Sequence, residues 1–188
     1  SPEETRLEQI FGKLDLSGIE DWKKETQDEA KKLIEDFQDI FALSTKELRK
    51  MSVVKHEIKL TDYTPFKQSY RRIPPHMYEQ VKSHLDDMLQ LGAIRKSYSP
   101  WSSSIVLVQK KDGTLRFCID LRELNNRTIK DNYSLPRIEH HLEQLIGATW
   151  FTTLDLKSGY WQVELDDEAK PLTAFTVGPL GFFECETM

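Results

Sequence analysis

The apolar positions follow two different rhythms, and the chain changes texture near Lys55. In the first part Ala30, Leu33, Ile34, Phe37, Ile40 and Phe41 recur at helical spacing and form one stripe. Thr26 and Glu29 have the spacing of a capping box, which predicts a helix opening there. The Lys and Glu residues around the stripe read as a solvated face, so this part is assigned no chemistry. From His56 to Leu60 apolar and polar residues alternate, which predicts a strand. Pro65 to Pro75 reads as an extended basic segment containing Tyr70-Arg71-Arg72. Pro74-Pro75 then leads into a helix whose Val81, Leu85, Met88 and Leu89 face inward and which Gly92 closes.

Beyond the turn at Ser99-Pro100-Trp101 the pattern becomes that of strands. Ile105 to Val108 predicts a short buried strand, joined through Lys110-Lys111-Asp112-Gly113 to a second one from Thr114 to Asp120. The Asp-Gly pair marks this as a β-hairpin. In its return strand Leu115, Phe117 and Ile119 share one face, and Arg116, Cys118 and Asp120 share the other. A helix is predicted after Pro136 to about Ile146, closed by Gly147, followed by a strand from Trp150 to Leu156. A last hairpin joins Leu172–Val177 to Phe182–Glu186 through Gly178-Pro179-Leu180-Gly181. There is no repeat and no low-complexity tract. Helices mixed with antiparallel hairpins indicate the α+β class.

Composition adds less than its distribution does. The chain has 188 residues, 38% of them hydrophobic and 30% charged, which is the balance of a globular protein. No run approaches the ~20 apolar residues of a membrane helix, so a membrane partner is not expected. Ser-Pro-Glu-Glu-Thr at the start lacks the layout of a secretory signal, and Cys118 and Cys185 make no disulfide framework. Both point to an intracellular, reducing setting. The net charge of −5 argues against a nucleic-acid partner, but it is an average. Residues 1–60 carry −3, residues 61–130 carry +5, with twelve basic side chains against seven acidic, and residues 131–188 carry −7. A basic block followed by an acidic one is a partner signal.

The chemistry concentrates in two places. Lys110 and Lys111 on the hairpin tip, with Arg116 on the return strand, suit a polyphosphate that ammonium groups neutralise and a guanidinium fork grips. Asp155 ends an apolar β-rich run between Leu154 and Leu156, where a carboxylate is costly unless paired or bound to a metal. Mg²⁺ is a hard cation held by one or two carboxylates together with substrate phosphates. Together these fit phosphoryl or nucleotidyl transfer.

Several long motifs then occur in order. Phe151-Thr152-Thr153-Leu154-Asp155-Leu156-Lys157-Ser158-Gly159-Tyr160-Trp161-Gln162 resembles the first catalytic motif of reverse transcriptases, in the form found in gypsy-type LTR retrotransposons. Val106 to Asn125 resembles that family's fingers hairpin and following helix. Arg71-Arg72-Ile73-Pro74-Pro75, Ser97 to Trp101 and Thr173-Ala174-Phe175-Thr176 match as well. The similarity covers roughly Lys55 to Met188. The N-terminal part resembles, more loosely, the connector between protease and polymerase.

This resemblance implies an RNA-directed DNA polymerase fold of fingers and partial palm. Residues 1–54 would be a helical extension, 55–129 the first part of the fingers, 130–162 the first part of the palm, and 163–188 the second part of the fingers. Asp155, with the Leu156 carbonyl, would bind two Mg²⁺ ions that polarise a primer 3′-hydroxyl and an α-phosphate. Lys110 or Lys111, with Arg116, would hold the dNTP. Ser158 and Gly159 would contact its phosphates and Tyr160 would exclude a 2′-hydroxyl. Asp120 and Arg122 would touch the template, with Arg71 and Arg72 in the same basic block. Trp161 and Gln162 are assigned packing first.

Implied partners are an RNA or DNA template–primer, dNTPs and the rest of a Pol polyprotein: palm, thumb, RNase H, protease and integrase. The family's Tyr-x-Asp-Asp hairpin, which supplies two more aspartates, does not occur in this sequence. The chain stops where the family continues into Pro-Phe-Gly. The expectation is therefore a fragment inactive alone, with a non-catalytic nucleic-acid-binding remnant as the alternative. Asp166-Asp167-Glu168 is read as a solvated turn, His140-His141 as no zinc site, the Asn126-Arg127-Thr128 sequon as unused, and the two cysteines as packing residues.

Overall fold

Two compact units divide the chain in the computed structural model, Ser1–Arg49 and Lys50–Met188. The structure describes residues 5–16, 18, 20–111 and 113–188. Asp112 of the expected hairpin turn lies outside them.

The first unit contains α1 (Arg6–Phe11) and α2 (Lys24–Asp36). The capping box stands on α1, where the Glu8 backbone N–H donates to Thr5 Oγ1 and the Thr5 N–H donates to Glu8 Oε2 at 2.7 Å. It does not stand at Thr26 and Glu29, because α2 starts earlier and both residues lie within it. No residue of α2 is buried, and Leu33, Phe37 and Ile40 of the predicted stripe are exposed.

In the second unit the predicted helix is α3 (Tyr78–Gln90), with Val81, Leu85 and Met88 buried. Gly92, at φ 65°, follows its end in the left-handed region that the chain reversal requires. The hairpin is present as β3 (Ile105–Gln109) and β4 (Leu115–Ile119), antiparallel, with Ile105 opposite Ile119 and Val108 opposite Arg116. Leu115, Phe117 and Ile119 turn toward the core, as the alternation requires. A three-stranded sheet has the order β2 (Ile94–Lys96), β7 (Phe182–Cys185), β6 (Phe175–Thr176). The core lies between α3, this sheet and the hairpin. Phe175 is fully buried at its centre, 6.1 Å from the Phe117 ring and 5.9 Å from Phe183. Burial pushes the Cys185 thiol up to about 11, so it packs there as an inert apolar group.

A second cluster of Leu60, Trp101, Leu124 and Leu172 ties down the extended basic segment. α4 (Arg122–Arg127) delivers Leu124 to it, and Arg127 covers the Phe66 ring at 5.2 Å. Backbone bonds from Gln68 N–H to the Ser102 carbonyl and from Ser102 N–H to the Phe66 carbonyl fix the segment's course.

Two further expectations change, and a third, the helix after Pro136, holds. The strand foreseen at 56–60 is β1 (Met51–His56), paired in parallel with β5 (Val163–Leu165), which alternation did not single out. The helix after Pro136 is α5 (Ile138–Gln144), but it buries nothing. Trp150 to Leu156 is not a strand: every residue from 129 to 158 is exposed, and no described strand pairs with this run. A β-prone sequence needs a neighbouring strand to settle into a sheet, and among the described residues no strand pairs with this run. Among the described residues no helix is long and apolar enough to cross a membrane.

Truncating Phe175 to Ala should lower the unfolding free energy of the Lys50–Met188 unit by about 3–5 kcal/mol. Leu142→Ala on the exposed α5 should change it by less than about 0.5 kcal/mol. Urea titration of both variants checks the assignment of core and surface.

Candidate nucleic-acid and nucleotide site

The hairpin presents its cations to solvent. Its tip closes through a Lys110 N–H bond to the Thr114 carbonyl at 2.8 Å, and Gly113 takes φ 81°, where a side chain would be strained. Lys110, Lys111 and Arg116 are exposed, and among the described residues none has an anionic partner. Three cations on one hairpin, none of them ion-paired among the described residues, keep their charge available to a phosphate-bearing ligand.

At the base of β4 the charges are paired instead. Asp120 is only 7% exposed. Its carboxylate accepts from Arg122 Nε at 2.7 Å and from Arg122 Nη2 at 2.7 Å, a bidentate fork, and from Arg71 Nη2 at 3.4 Å. These arginines hold the Asp120 carboxyl down at about 2, the Arg122 hydrogen bonds doing most of it. The Arg122 side chain remains 80% exposed. Asp120 is thus an anchor that aims two guanidinium groups outward rather than a group that meets a ligand directly. Arg71 and Arg72, with Pro74, Met77 and residues 105–107 of β3, line a groove of about 210 Å³. Its apolar floor and cationic wall suit a base and its phosphate.

The second predicted centre is organised differently. Asp155 and Leu156 lie in the irregular exposed segment before a short 3₁₀ turn, Gly159–Gln162. Asp155 makes no hydrogen bond or ion pair with a described residue. Ser158 stands in the left-handed region at φ 47°, and Gly159 sits close to Leu156, whose Cβ would lie 3.2 Å from an added Cβ. Tyr160 is exposed, whereas Trp161 packs on the core and Gln162 Nε2 donates to the Lys157 carbonyl at 3.0 Å. Packing is therefore the role of Trp161, as expected.

The donor set does not make a two-metal site. Among the described residues no group of three or more His, Cys, Asp or Glu side chains converges on a point. A lone exposed carboxylate with one carbonyl does not match the oxygen count that Mg²⁺ requires. Asp167, in the acidic run set aside above, is held by Lys170 at 2.7 Å.

Sequence reasoning missed a network behind the hairpin. Buried Lys170 pairs with Glu186 at 2.9 Å as well as with Asp167, and Arg95 pairs with Glu184 at 2.7 Å and Glu186 at 3.0 Å. Ser97 Oγ completes the shell of Glu184 at 2.5 Å. The only linear signal is alternation of Glu184 and Glu186 about Cys185, which says nothing of their partners.

Because the folded-state value for Asp120 lies below the ordinary 3.8, its ion pairs stabilise the fold above pH 3.8, and that contribution fades as pH falls toward 2. Arg122→Gln should destabilise the protein at neutral pH, and the gap to the unaltered chain should close between about pH 4 and pH 2. Carboxyl NMR should show the Asp120 midpoint returning toward 3.8 in that variant.

Residues 108–185 match the family model described as reverse transcriptase (RNA-dependent DNA polymerase). The enzymatic polyprotein of soybean chlorotic mottle virus is 38% identical over 134 residues, covering 68% of this chain and 19% of its own length. The retrovirus-related Pol polyprotein from the Drosophila melanogaster transposon opus is 35% identical over 156 residues, 80% of this chain and 16% of its own. The chain thus spans less than a fifth of the length of these relatives. Among solved structures, the prototype foamy virus protease–reverse transcriptase superposes with a TM-score of 0.77 at 23% identity, over 100% of this chain and 24% of that one. A foamy viral protease–reverse transcriptase in complex with an RNA/DNA hybrid gives 0.70 at 19% identity, over 89% and 22%. Residues 108–185 are therefore similar in sequence to the reverse-transcriptase family, and the chain is folded like the foamy-virus enzymes.

Proposed function

We propose that this chain is the template- and nucleotide-holding part of an RNA-directed DNA polymerase encoded in the Pol polyprotein of a gypsy-type LTR retrotransposon. The observation that carries the reading is Asp120 anchoring Arg122 and Arg71 at the base of a hairpin whose tip cations have no ion-pair partner among the described residues, with Asp120, Arg122 and the hairpin tip inside the segment that matches the family. Arg122, Arg71 and Arg72 take the sugar–phosphate backbone of a template, the order in which such contacts position a strand without reading it. Lys110, Lys111 and Arg116 take the triphosphate of a dNTP. Tyr160, exposed within the 3₁₀ turn, is the residue that excludes a 2′-hydroxyl in this reading. Asp155 supplies one carboxylate of a divalent-metal site that this chain does not complete, so no metal-dependent step is assigned to it here.

A second reading has its own support. Asp155 stands in an irregular, solvent-exposed run, and among the described residues no group of three or more ligating side chains gathers there, which fits a non-catalytic nucleic-acid-binding remnant. The two readings diverge in the longer polyprotein, where Asp155→Asn abolishes dNTP incorporation only if the first is right.

The chain alone should bind a template–primer, with log K falling against log salt by about 0.7–0.9 per phosphate neutralised. Charge reversal at Arg71, Arg72, Lys110 and Lys111 should flatten that slope, and a salt-independent or absent interaction would sink both readings. With Mg²⁺ and all four dNTPs the isolated chain should extend no primer; extension that Asp155→Asn removes would overturn that expectation.

A further inference from the structure

Asp120 holds its two arginines by different means. Arg122 stands next but one in sequence and donates twice at 2.7 Å, so its place is set locally. Arg71 comes from 49 residues away and reaches the same carboxylate through one contact of 3.4 Å. A single long contact from a side chain that is 54% exposed does not fix an arginine by itself. The place of Arg71 therefore depends on how the extended segment that bears it is held.

That segment is gripped at Gln68, one turn of extended chain before Arg71. Gln68 Oε1 accepts from the Ser104 N–H and from Ser104 Oγ, both at 2.9 Å, and the Gln68 N–H donates to the Ser102 carbonyl at 2.8 Å. Ser104 is buried, so its two donors have little recourse to water and their bonds to Gln68 weigh more than exposed ones would. The Ser104 carbonyl in turn accepts from the Asp120 N–H at 2.8 Å. One serine thus holds Gln68 with its donors and Asp120 with its acceptor. An amide oxygen has two lone pairs and takes both bonds without setting a negative charge beside Arg71 and Arg72.

We propose that Gln68 is a positioning residue for the phosphate contact of Arg71: through Ser104 it registers the basic segment against Asp120, and Arg71 then stands where that carboxylate can hold it. Gln68 itself meets no nucleic acid in this account. The inference rests on the polymerase reading, which uses Arg71 but names nothing that places it. Arg122 needs no such relay, because its own fork on Asp120 suffices.

The test is a salt series of template–primer binding to the full chain and to Gln68→Leu, which keeps the bulk of the side chain and removes its acceptor. Neither side chain is charged, so a purely structural loss lowers the folded fraction without altering the salt dependence. With Arg71 displaced, the slope of log K against log salt should flatten by about 0.7–0.9, the share of one phosphate. Affinity should fall about three- to tenfold, the range of coupling within one network. In an Arg71→Gln background the same substitution should change neither. Gln68→Glu still accepts both bonds from Ser104, so Arg71→Gln should cost as much there as in the unaltered chain. Ser104→Ala removes only the hydroxyl bond and should give a smaller loss of the same kind; it takes over the test if circular dichroism shows Gln68→Leu unfolded. An unchanged slope, or equal losses with and without Arg71, overturns the positioning role and leaves the polymerase reading standing. An unaltered chain that does not bind, or a slope that Arg71→Gln does not change, overturns the reading's use of Arg71 and the positioning role with it.

Discussion

Strand β7 carries Glu184 into its sheet and brings Glu186 up behind it, and both carboxylates must be neutralised where they stand. An unpaired buried charge costs several kcal/mol, more than most single contacts return. Arg95 answers from directly across the ladder, since it faces Glu184 in the β2–β7 register, and reaches Glu186 as well. Lys170 answers from the turn before β6. The ion pairs and the backbone ladder therefore impose the same register. A slip of one residue would turn Glu184 to the other face and leave Arg95 without it. With that sheet fixed, Phe175 and Phe183 meet Phe117 of the hairpin, and the hairpin acquires its place on the core.

The same physics recurs at Asp120 with a different result. There the carboxylate is the buried partner and the guanidinium groups are the exposed ones, so the pair exports positive charge instead of hiding it. Fixing Arg122 and Arg71 in advance reduces the side-chain entropy lost when a phosphate binds. The lysines at the hairpin tip have no such anchor and suit a ligand that arrives with charge to spare. Asp155 has neither an anchor nor a sheet around it. Its run has the β-prone, apolar composition of a buried strand yet lies in solvent, so the chemistry that motif carries depends on protein surface these residues do not supply.

Local rules succeeded where neighbours in sequence are also neighbours in space. α3 was legible because Val81, Leu85 and Met88 make one stripe and Gly92 stops it. The β3–β4 hairpin was legible because its turn and its alternation agree. They failed where the deciding partner is remote. β1 pairs with β5, more than a hundred residues away, so its limits depend on a strand the local pattern does not mark. Trp150 to Leu156 has strand composition, and no described strand pairs with it. The first helix took the capping box at Thr5 and Glu8, since a box works only where the helix begins.

By itself the sequence determined the α+β class, the hairpin with its cations, the basic block hidden in a net charge of −5, and the family motifs that point to nucleotidyl transfer. These follow from periodicity, turn chemistry and residue order, all of which are local. Tertiary structure alone decided that Asp120 anchors two arginines, that Lys170 and Arg95 neutralise β7, and that Gln68 ties the basic segment to Ser104. Each of those pairs joins elements far apart along the chain, or, for Asp120 and Arg122, depends on burial that only packing sets. The cost of an unpaired charge and the strength of a buried hydrogen bond are properties of the surroundings, and no stretch of sequence contains its own surroundings.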